Sequence, residues 1–380
     1  MNILHLYSDW KWTGPAEPAI QTCRSLMDAG HHVVFACSEP PPDYPEHIKG
    51  KAQALGLNLT TRFTLDRHCP PLKTLKDLVT LPVYIRRGKF DVVHVHLSHD
   101  HTFGSFCARI GGPGRPVIVR SLYKRRVLES NFLVRLQLKR STDGFVTFTP
   151  SFRQEYIDRF GLDPDHVTVS PMPVDLERFH PDRRGKTLRD EFNIAPDAPV
   201  IGIVGRWQKY RKADVFLEAA KKVATKHPET RFMIVGRSSQ IQQTVVEPMK
   251  ELGLEDNVIL TGYRMDDYVE TLATMDVFSL LMPGFDGTAR AVREAMALGI
   301  PCVVSDYGML PDIVPDQQAG RVVPIHPENL AEAWLELIES PEKRAQMGGF
   351  ARQFAEKHFR IDQLAEAIVP LYERLVRERK

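Results

Sequence analysis

The sequence predicts an α/β protein made of two doubly wound parallel-sheet units. Three observations carry that expectation. Short, near-continuous apolar runs alternate with amphipathic stretches along the chain, as strands buried on both faces require. The alternation pauses once, across residues 171–198, where charges and prolines collect. The length of 380 residues suits two domains, since one takes roughly 100–200.

In the first half the expected strands are residues 3–7, 33–37, 91–95, 117–121, 145–148 and 167–170. Residues 17–29 form an amphipathic helix that stops at Gly30, a residue suited to the left-handed position after a helix. Segment 171–198 reads as a linker with one short helix. The second series of strands is 200–204, 232–235, 258–260, 277–281, 302–304 and 321–323, with helices at 214–227, 266–273 and 288–298. Residues 341–358 and 361–379 read as helix only. The expected organisation is a first Rossmann-like unit over 1–185, a second over 186–360, and a terminal helix, 361–380, packing back on the first. Open α/β sheets bind ligands beyond the carboxyl ends of their strands. Two units with facing crests would therefore share one cleft.

Composition narrows the function. The chain is 43% hydrophobic and 26% charged, ordinary for a globular protein. A net charge of +2 gives no case for a nucleic-acid partner. The five cysteines, Cys23, Cys37, Cys69, Cys107 and Cys302, lie far apart and are odd in number. That argues against a disulfide framework and for a reduced compartment. Asn2 to Tyr7 already reads as a core strand, and no apolar run reaches the ~18 residues of a membrane span. The expected location is the cytoplasm, including the inner face of the plasma membrane.

The chemistry gathers in the second unit. The strand at 200–204 runs into Gly205, Arg206, Trp207, Gln208, Lys209, Tyr210, Arg211 and Lys212. Cations after a strand suit phosphate, because arginine grips its oxygens in pairs and lysine adds a point charge. A solvated basic turn would look the same. The strand at 277–281 ends in Pro283, Gly284, Phe285, Asp286, Gly287 and Thr288, and the helix that follows carries Glu294. A helix mouth offers unpaired amides and a positive dipole end to an anion. Asp286 could serve simply as a helix cap. Glu294 precedes Ala295, Met296, Ala297 and Leu298, where a lone carboxylate is costly unless something bonds it.

These residues resemble the retaining glycosyltransferases of family 4, which have the GT-B fold. The resemblance rests on Val204-Gly205-Arg206 with Lys212, on the run from Asp286 to Ala297, and on Gly299 to Gly308 with Leu310 to Val314. It is strong from about 200 to 345 and weaker before 185. It implies that Arg206 and Lys212 neutralise a donor diphosphate and that Glu294 bonds the donor ribose. It implies that Asp286, where the family usually has Glu, bonds donor sugar hydroxyls near the reacting centre. Gly287, Thr288, Ala289 and Arg290 would line sugar and phosphate, Arg264 would lie by the base, and Gly14 would approach the donor from the first unit. The donor would be a UDP- or GDP-linked sugar used as substrate, with no cofactor and no metal. The acceptor would be a glycan, lipid-linked or of the cell envelope. Two other readings stay open: an epimerase or phosphorylase on the same fold, and a sugar-nucleotide-binding protein of low activity.

The first unit departs from the family pattern. Tyr123 stands where many members have His. The string His94-Val95-His96-Leu97-Ser98-His99-Asp100-His101 nearly matches the metallo-β-lactamase pattern, with Ser98 in place of a required Asp. The preferred reading puts His96, His99, His101 and Tyr123 on the acceptor side. Asp163-Pro164-Asp165 mimics a metal motif of the other glycosyltransferase fold, but sits where a turn is expected. Residues 72–89 and 123–140 are basic and amphipathic. Each reads as a helix with one buried face, or as a pair of membrane-surface contacts.

Overall fold

The computed structural model describes residues 1–380 except 45–46, 66–70, 111–113, 124–126, 171, 186, 285–288 and 380, and without the side chains of Pro71 and Lys73. The chain divides into two compact units, Met1–Pro173 with Ile361–Lys380, and Val174–Arg360.

The first unit holds a seven-stranded sheet of β1 (Asn2–Tyr7), β2 (His32–Cys37), β3 (Leu59–Thr60), β4 (Val92–Val95), β5 (Val117–Ser121), β6 (Gly144–Thr147) and β7 (Val167–Val169). Its order is β3-β2-β1-β4-β5-β6-β7, and every pairing is parallel. Strand side chains alternate between faces, and both faces are covered. Ile3, Phe35 and Val119 pack towards the helices Ala16–Asp28 and Gln363–Arg379 through Cys23, Ile368 and Leu371. Leu4, Leu6 and Val93 pack on the other face with Leu81, Ile85 and Cys107. Burial on both sides explains why these strands read as continuous apolar runs.

The second unit holds β8 (Val200–Val204), β9 (Arg231–Val235), β10 (Val258–Gly262), β11 (Val277–Leu280), β12 (Cys302–Ser305) and β13 (Gly320–Val323). They are parallel, in the order β10-β9-β8-β11-β12-β13. Each sheet winds outward in both directions from one pair of neighbouring strands, β1/β4 and β8/β11. At these switch points the adjoining loops splay apart and leave room for a ligand.

The division between units falls before the expected residue 185. Val174 donates its amide to Phe359 at 2.9 Å, and the Arg184 guanidinium reaches the carbonyls of Gly299 and Met275, each at 3.3 Å. The linker's short helix is a 3-10 turn, Pro181–Gly185. The terminal helix Gln363–Arg379 lies on the first unit, where Ala365 donates to the Ser25 hydroxyl at 3.0 Å. Gly30 does end the first helix, with φ of 83°. The sequence reading missed β3 and the helix Ser98–Ile110, which begins inside the histidine string.

Candidate functional site

In the second unit the loops after β8 and β11 flank the switch point. The β8 loop is pinned from beneath. Trp207 is buried, with its indole N–H donating to the Val235 carbonyl at 3.2 Å. Gly205 donates to the same carbonyl at 3.0 Å. Gly236 approaches so closely, at φ of 122°, that a Cβ there would stand 1.9 Å from the Gly205 carbonyl oxygen. Only glycine fits. With the tryptophan inward, Arg206 points to solvent, and Lys212 is exposed at the far end of the loop. Neither makes a hydrogen bond or ion pair to another residue among those described. Arg211 instead braces the two loops, donating to the Met282 carbonyl at 2.5 Å.

Lys212 has φ of 61° and Ala289, just before the helix Arg290–Ala297, has φ of 43°. The left-handed region costs a non-glycine residue about 1–2 kcal/mol. Strain of this kind tends to collect at ligand clamps. Of the six non-glycine residues with positive φ among those described, these two sit on the loops beside one switch point.

Glu294 lies on that helix and is buried. Its carboxylate accepts from the Tyr268 hydroxyl at 2.8 Å and from the Arg290 guanidinium at 2.7 Å. Burial and the neighbouring Glu294 charge push the Tyr268 phenol well above its ordinary value, so it stays a donor. The Arg290 partner was legible as an i, i+4 pair. Tyr268, 26 residues upstream, carried no signal in the sequence. Arg264 is held by Asp267 and Glu191 in an ion-pair network, which fixes its guanidinium in the loop after β10. Asp286, Gly287 and Thr288 lie outside the described residues. In the first unit Gly14 sits in the turn before the helix Ala16–Asp28.

The structure encloses three of the four residues expected on the acceptor side. His96 bonds to His5 at 2.9 Å and to the Tyr123 hydroxyl at 3.0 Å. Tyr123 stacks on Phe148 and is buried. His101 is held between Thr142 at 2.6 Å and Arg120 at 2.6 Å. His99 is partly exposed and stacks on Phe103. The reason is alternation: His94 and His5 are register partners on one sheet face, and His96 follows on the same face beneath the terminal helix. Tyr372 of that helix bonds to His94 at 2.5 Å.

The nitrogens of His5, His94 and His96 lie within 4.8 Å of one another. The rings are nearly parallel, 8° between His94 and His96 and 22° between His5 and His96. An imidazole lone pair lies in its ring plane, so such rings do not aim at one point. Both nitrogens of His94 are also taken, by Tyr372 and by Ser121 at 2.8 Å. This is a hydrogen-bonded network in which burial holds each imidazole neutral. His5 is lowered to about 3, and His94, His96 and His101 are lowered too.

Unfolding releases these imidazoles to titrate near 6.5. The unfolded chain then binds more protons, and stability falls as pH drops from about 6.5 towards 3. Asp100, pushed up to about 7 by burial, works in the opposite sense over part of that range. It is one group against four. The expected result is a Tm that declines steadily between pH 7 and pH 5. A Tm flat over that interval would contradict the neutral assignment.

The turn expected at Asp163 is a 3-10 turn, Pro164–His166, with the Asp163 carboxylate accepting the Asp165 amide at 2.9 Å. The two basic stretches differ from expectation. The helix of the second is confined to Phe132–Ser141, and Lys124, Arg125 and Arg126 lie outside the described residues. Neither helix buries all of its apolar side chains. Leu72, Leu75, Val79 and Val83 line one exposed face of the helix Pro71–Gly88, with Leu72 at 85% exposure. Phe132 and Leu133 are 76% and 73% exposed. The helix Ser98–Ile110 packs against both and adds exposed Phe106 and Ile110.

Comparison with known proteins gives two family matches. Residues 14–178 match the model described as Glycosyltransferase Family 4, and residues 185–354 match Glycosyl transferases group 1. A UDP-Gal:alpha-D-GlcNAc-diphosphoundecaprenol alpha-1,3-galactosyltransferase of Escherichia coli is 26% identical over 64% of this chain. That match spans 65% of the E. coli protein, just under two thirds of its length. An N-acetyl-alpha-D-glucosaminyl L-malate synthase of Bacillus anthracis is 24% identical over 78% of this chain and 77% of its own. Among solved structures, Anabaena HepE in complex with UDP superposes with a TM-score of 0.78 at 19% identity, over 100% of this chain and 99% of that one. At that identity the likeness concerns fold.

Proposed function

The chain belongs to glycosyltransferase family 4, with two Rossmann-like domains of the GT-B type, and from that premise we propose that it transfers a glycosyl group, with retention, from a nucleotide sugar to an envelope or lipid-linked acceptor. The observation that carries this reading is the β8/β11 switch point. It combines two exposed cations without carboxylate partners among the described residues, two strained loop residues and a buried, oriented carboxylate. In this reading Arg206 and Lys212 meet the donor diphosphate and stabilise it as a leaving group, where charge grows in the transition state. Glu294, held by Tyr268 and Arg290, accepts from the ribose hydroxyls. Asp286 bonds the sugar. Calorimetry with UDP and GDP, beside release of nucleotide from labelled UDP- and GDP-sugars, tests the reading. Binding without turnover across a broad acceptor panel would favour a sugar-nucleotide-binding protein.

The protein cations take the place of a bound divalent ion, so catalysis is metal-independent in this proposal. Excess chelator is expected to leave the initial rate nearly unchanged. Loss of activity restored by zinc or manganese would overturn that part.

The acceptor's class draws support from the printed name of the E. coli relative, which acts on a diphosphoundecaprenol-linked sugar. It also draws support from the exposed apolar faces of the first unit, which carry the exposed cations Lys76, Arg86, Arg87, Lys139 and Arg140. No helix among the described residues is long and apolar enough to cross a membrane. Contact would be peripheral, with apolar side chains in the interface and each Lys or Arg adding about 1 kcal/mol near an anionic surface. Co-sedimentation with anionic vesicles is expected at low salt, weakening as salt rises. Leu72→Glu with Leu75→Glu should abolish it. Protein left in the supernatant at low salt would point to a soluble acceptor.

A further inference from the structure

We propose that Arg352 is a positioning residue for Glu294: its one guanidinium fixes both the helix that carries this carboxylate and, through Phe179, the tyrosine that orients it. That a ribose meets Glu294 rests on the donor reading above; the positioning itself does not.

The helix Arg290–Ala297 is eight residues long. A helix this short is marginal alone and takes its place from what it packs against. Its last carbonyls have no partner within the helix. The one at Ala297 accepts from Nη1 of Arg352 at 2.8 Å. Arg352 belongs to the helix Pro341–His358, and its side chain is only 13% exposed. A cation at a helix carboxyl end also meets the negative end of the dipole. The same nitrogen donates to the Phe179 carbonyl at 2.9 Å, with Leu176 as a longer third acceptor at 3.3 Å. Nε donates to Glu356 at 2.7 Å, which sets the plane of the guanidinium.

Phe179 supplies the second connection. It is buried, and its ring meets Tyr268 edge-on, at 6.2 Å and 83°. Tyr268 donates its hydroxyl to Glu294 at 2.8 Å. The contacts therefore close a ring. They run from Glu294 along its own helix to Ala297, then to Arg352, Phe179 and Tyr268, and back to the carboxylate. A parallel contact steadies the same helix: Arg293, beside Glu294, is buried with its guanidinium 5.6 Å from the ring centre of Phe359. Such a ring matters because Glu294 is itself buried, and a buried carboxylate that loses a donor keeps its full desolvation cost. A hydroxyl bond of this length fails beyond about 3.5 Å, so a relative shift of less than about 1 Å between helix and tyrosine breaks it.

The test uses the full chain, UDP and GDP, and their 2′,3′-dideoxy analogues, which lack the ribose hydroxyls. In calorimetry Arg352→Gln is expected to weaken the nucleoside diphosphate roughly three- to thirtyfold, a usual size for coupling within one network. The dideoxy analogue should bind the variant as it binds the wild type. In a Glu294→Gln background the same change should add nothing, and Arg352→Lys, which keeps the charge and a donor, should recover part of the loss. If Arg352→Gln impairs folding, as judged by Tm, Phe179→Leu takes its place, because it keeps the carbonyl and removes only the ring contact. Unchanged affinity, equal loss for natural and dideoxy ligands, or a loss that persists in full beside Glu294→Gln would overturn the proposal. A readout without ligand separates it from the donor reading. Amide exchange across residues 290–298 and at Tyr268 should quicken in Arg352→Gln more than in the rest of the second unit. That result in a protein that binds neither nucleotide would uphold the positioning while the donor reading fails. Exchange unchanged there would overturn the positioning whether or not nucleotide binds.

Discussion

Arg206→Ala and Lys212→Ala are each expected to lower kcat/KM for the nucleotide sugar about 100- to 1,000-fold, the range found when one preorganised donor to a developing negative charge is removed. Affinity for the nucleoside diphosphate should fall with it, while the unphosphorylated nucleoside, which offers no anion, should bind as before. Both side chains are exposed and without partners among the described residues, so Tm should hardly move. Lys212 permits a sharper control. Its φ of 61° strains lysine and alanine alike but suits glycine. Lys212→Gly should therefore stabilise the fold by about 1 kcal/mol and be as inactive as Lys212→Ala. If the alanine variants keep wild-type kcat/KM, the loop is a solvated basic turn and the donor site lies elsewhere.

Glu294→Gln and Asp286→Asn are expected to fail differently. The ribose is common to donor and free nucleotide, so Glu294→Gln should weaken both. A hydrogen bond to a charged group contributes about 1.5–3 kcal/mol, or roughly ten- to a hundredfold in affinity. Tyr268→Phe should reproduce a few-fold part of the loss, because the Tyr268 hydroxyl donates to that carboxylate and helps to orient it. Asp286→Asn should leave nucleotide affinity near wild type and lower turnover, since its proposed partner is the transferred sugar. If Asp286 is only a helix cap, Asn serves as well and activity survives. Equal loss of nucleotide affinity in Glu294→Gln and Asp286→Asn would refute the division of roles.

Much of this protein was legible without coordinates because the information is local. A parallel sheet covered on both faces imposes continuous apolar runs, so β1, β4 and β8 could be read from a handful of adjacent residues. The same holds for Gly30 after its helix and for the spacing of Arg206, Lys212 and Glu294 on the elements that carry them. β3 escaped because Leu59–Thr60 is two residues long and only half-buried. The orientation of the histidines escaped for another reason. In sequence, His94 to His101 is a run of adjacent ligands. In the fold, His94 meets Tyr372, 278 residues away, and His96 meets His5, 91 residues away.

The sequence by itself determined the two doubly wound units, the cationic loop after β8, and the carboxylate on the helix after β11. Tertiary structure decided which polar side chains are enclosed and which face solvent. It buried His96, His101 and Tyr123 and supplied Tyr268 to Glu294. The physical reason is that strand and helix formation follow from the periodicity of neighbours. Enclosure depends on which distant element covers a face, and a residue's own neighbourhood in the chain does not encode that.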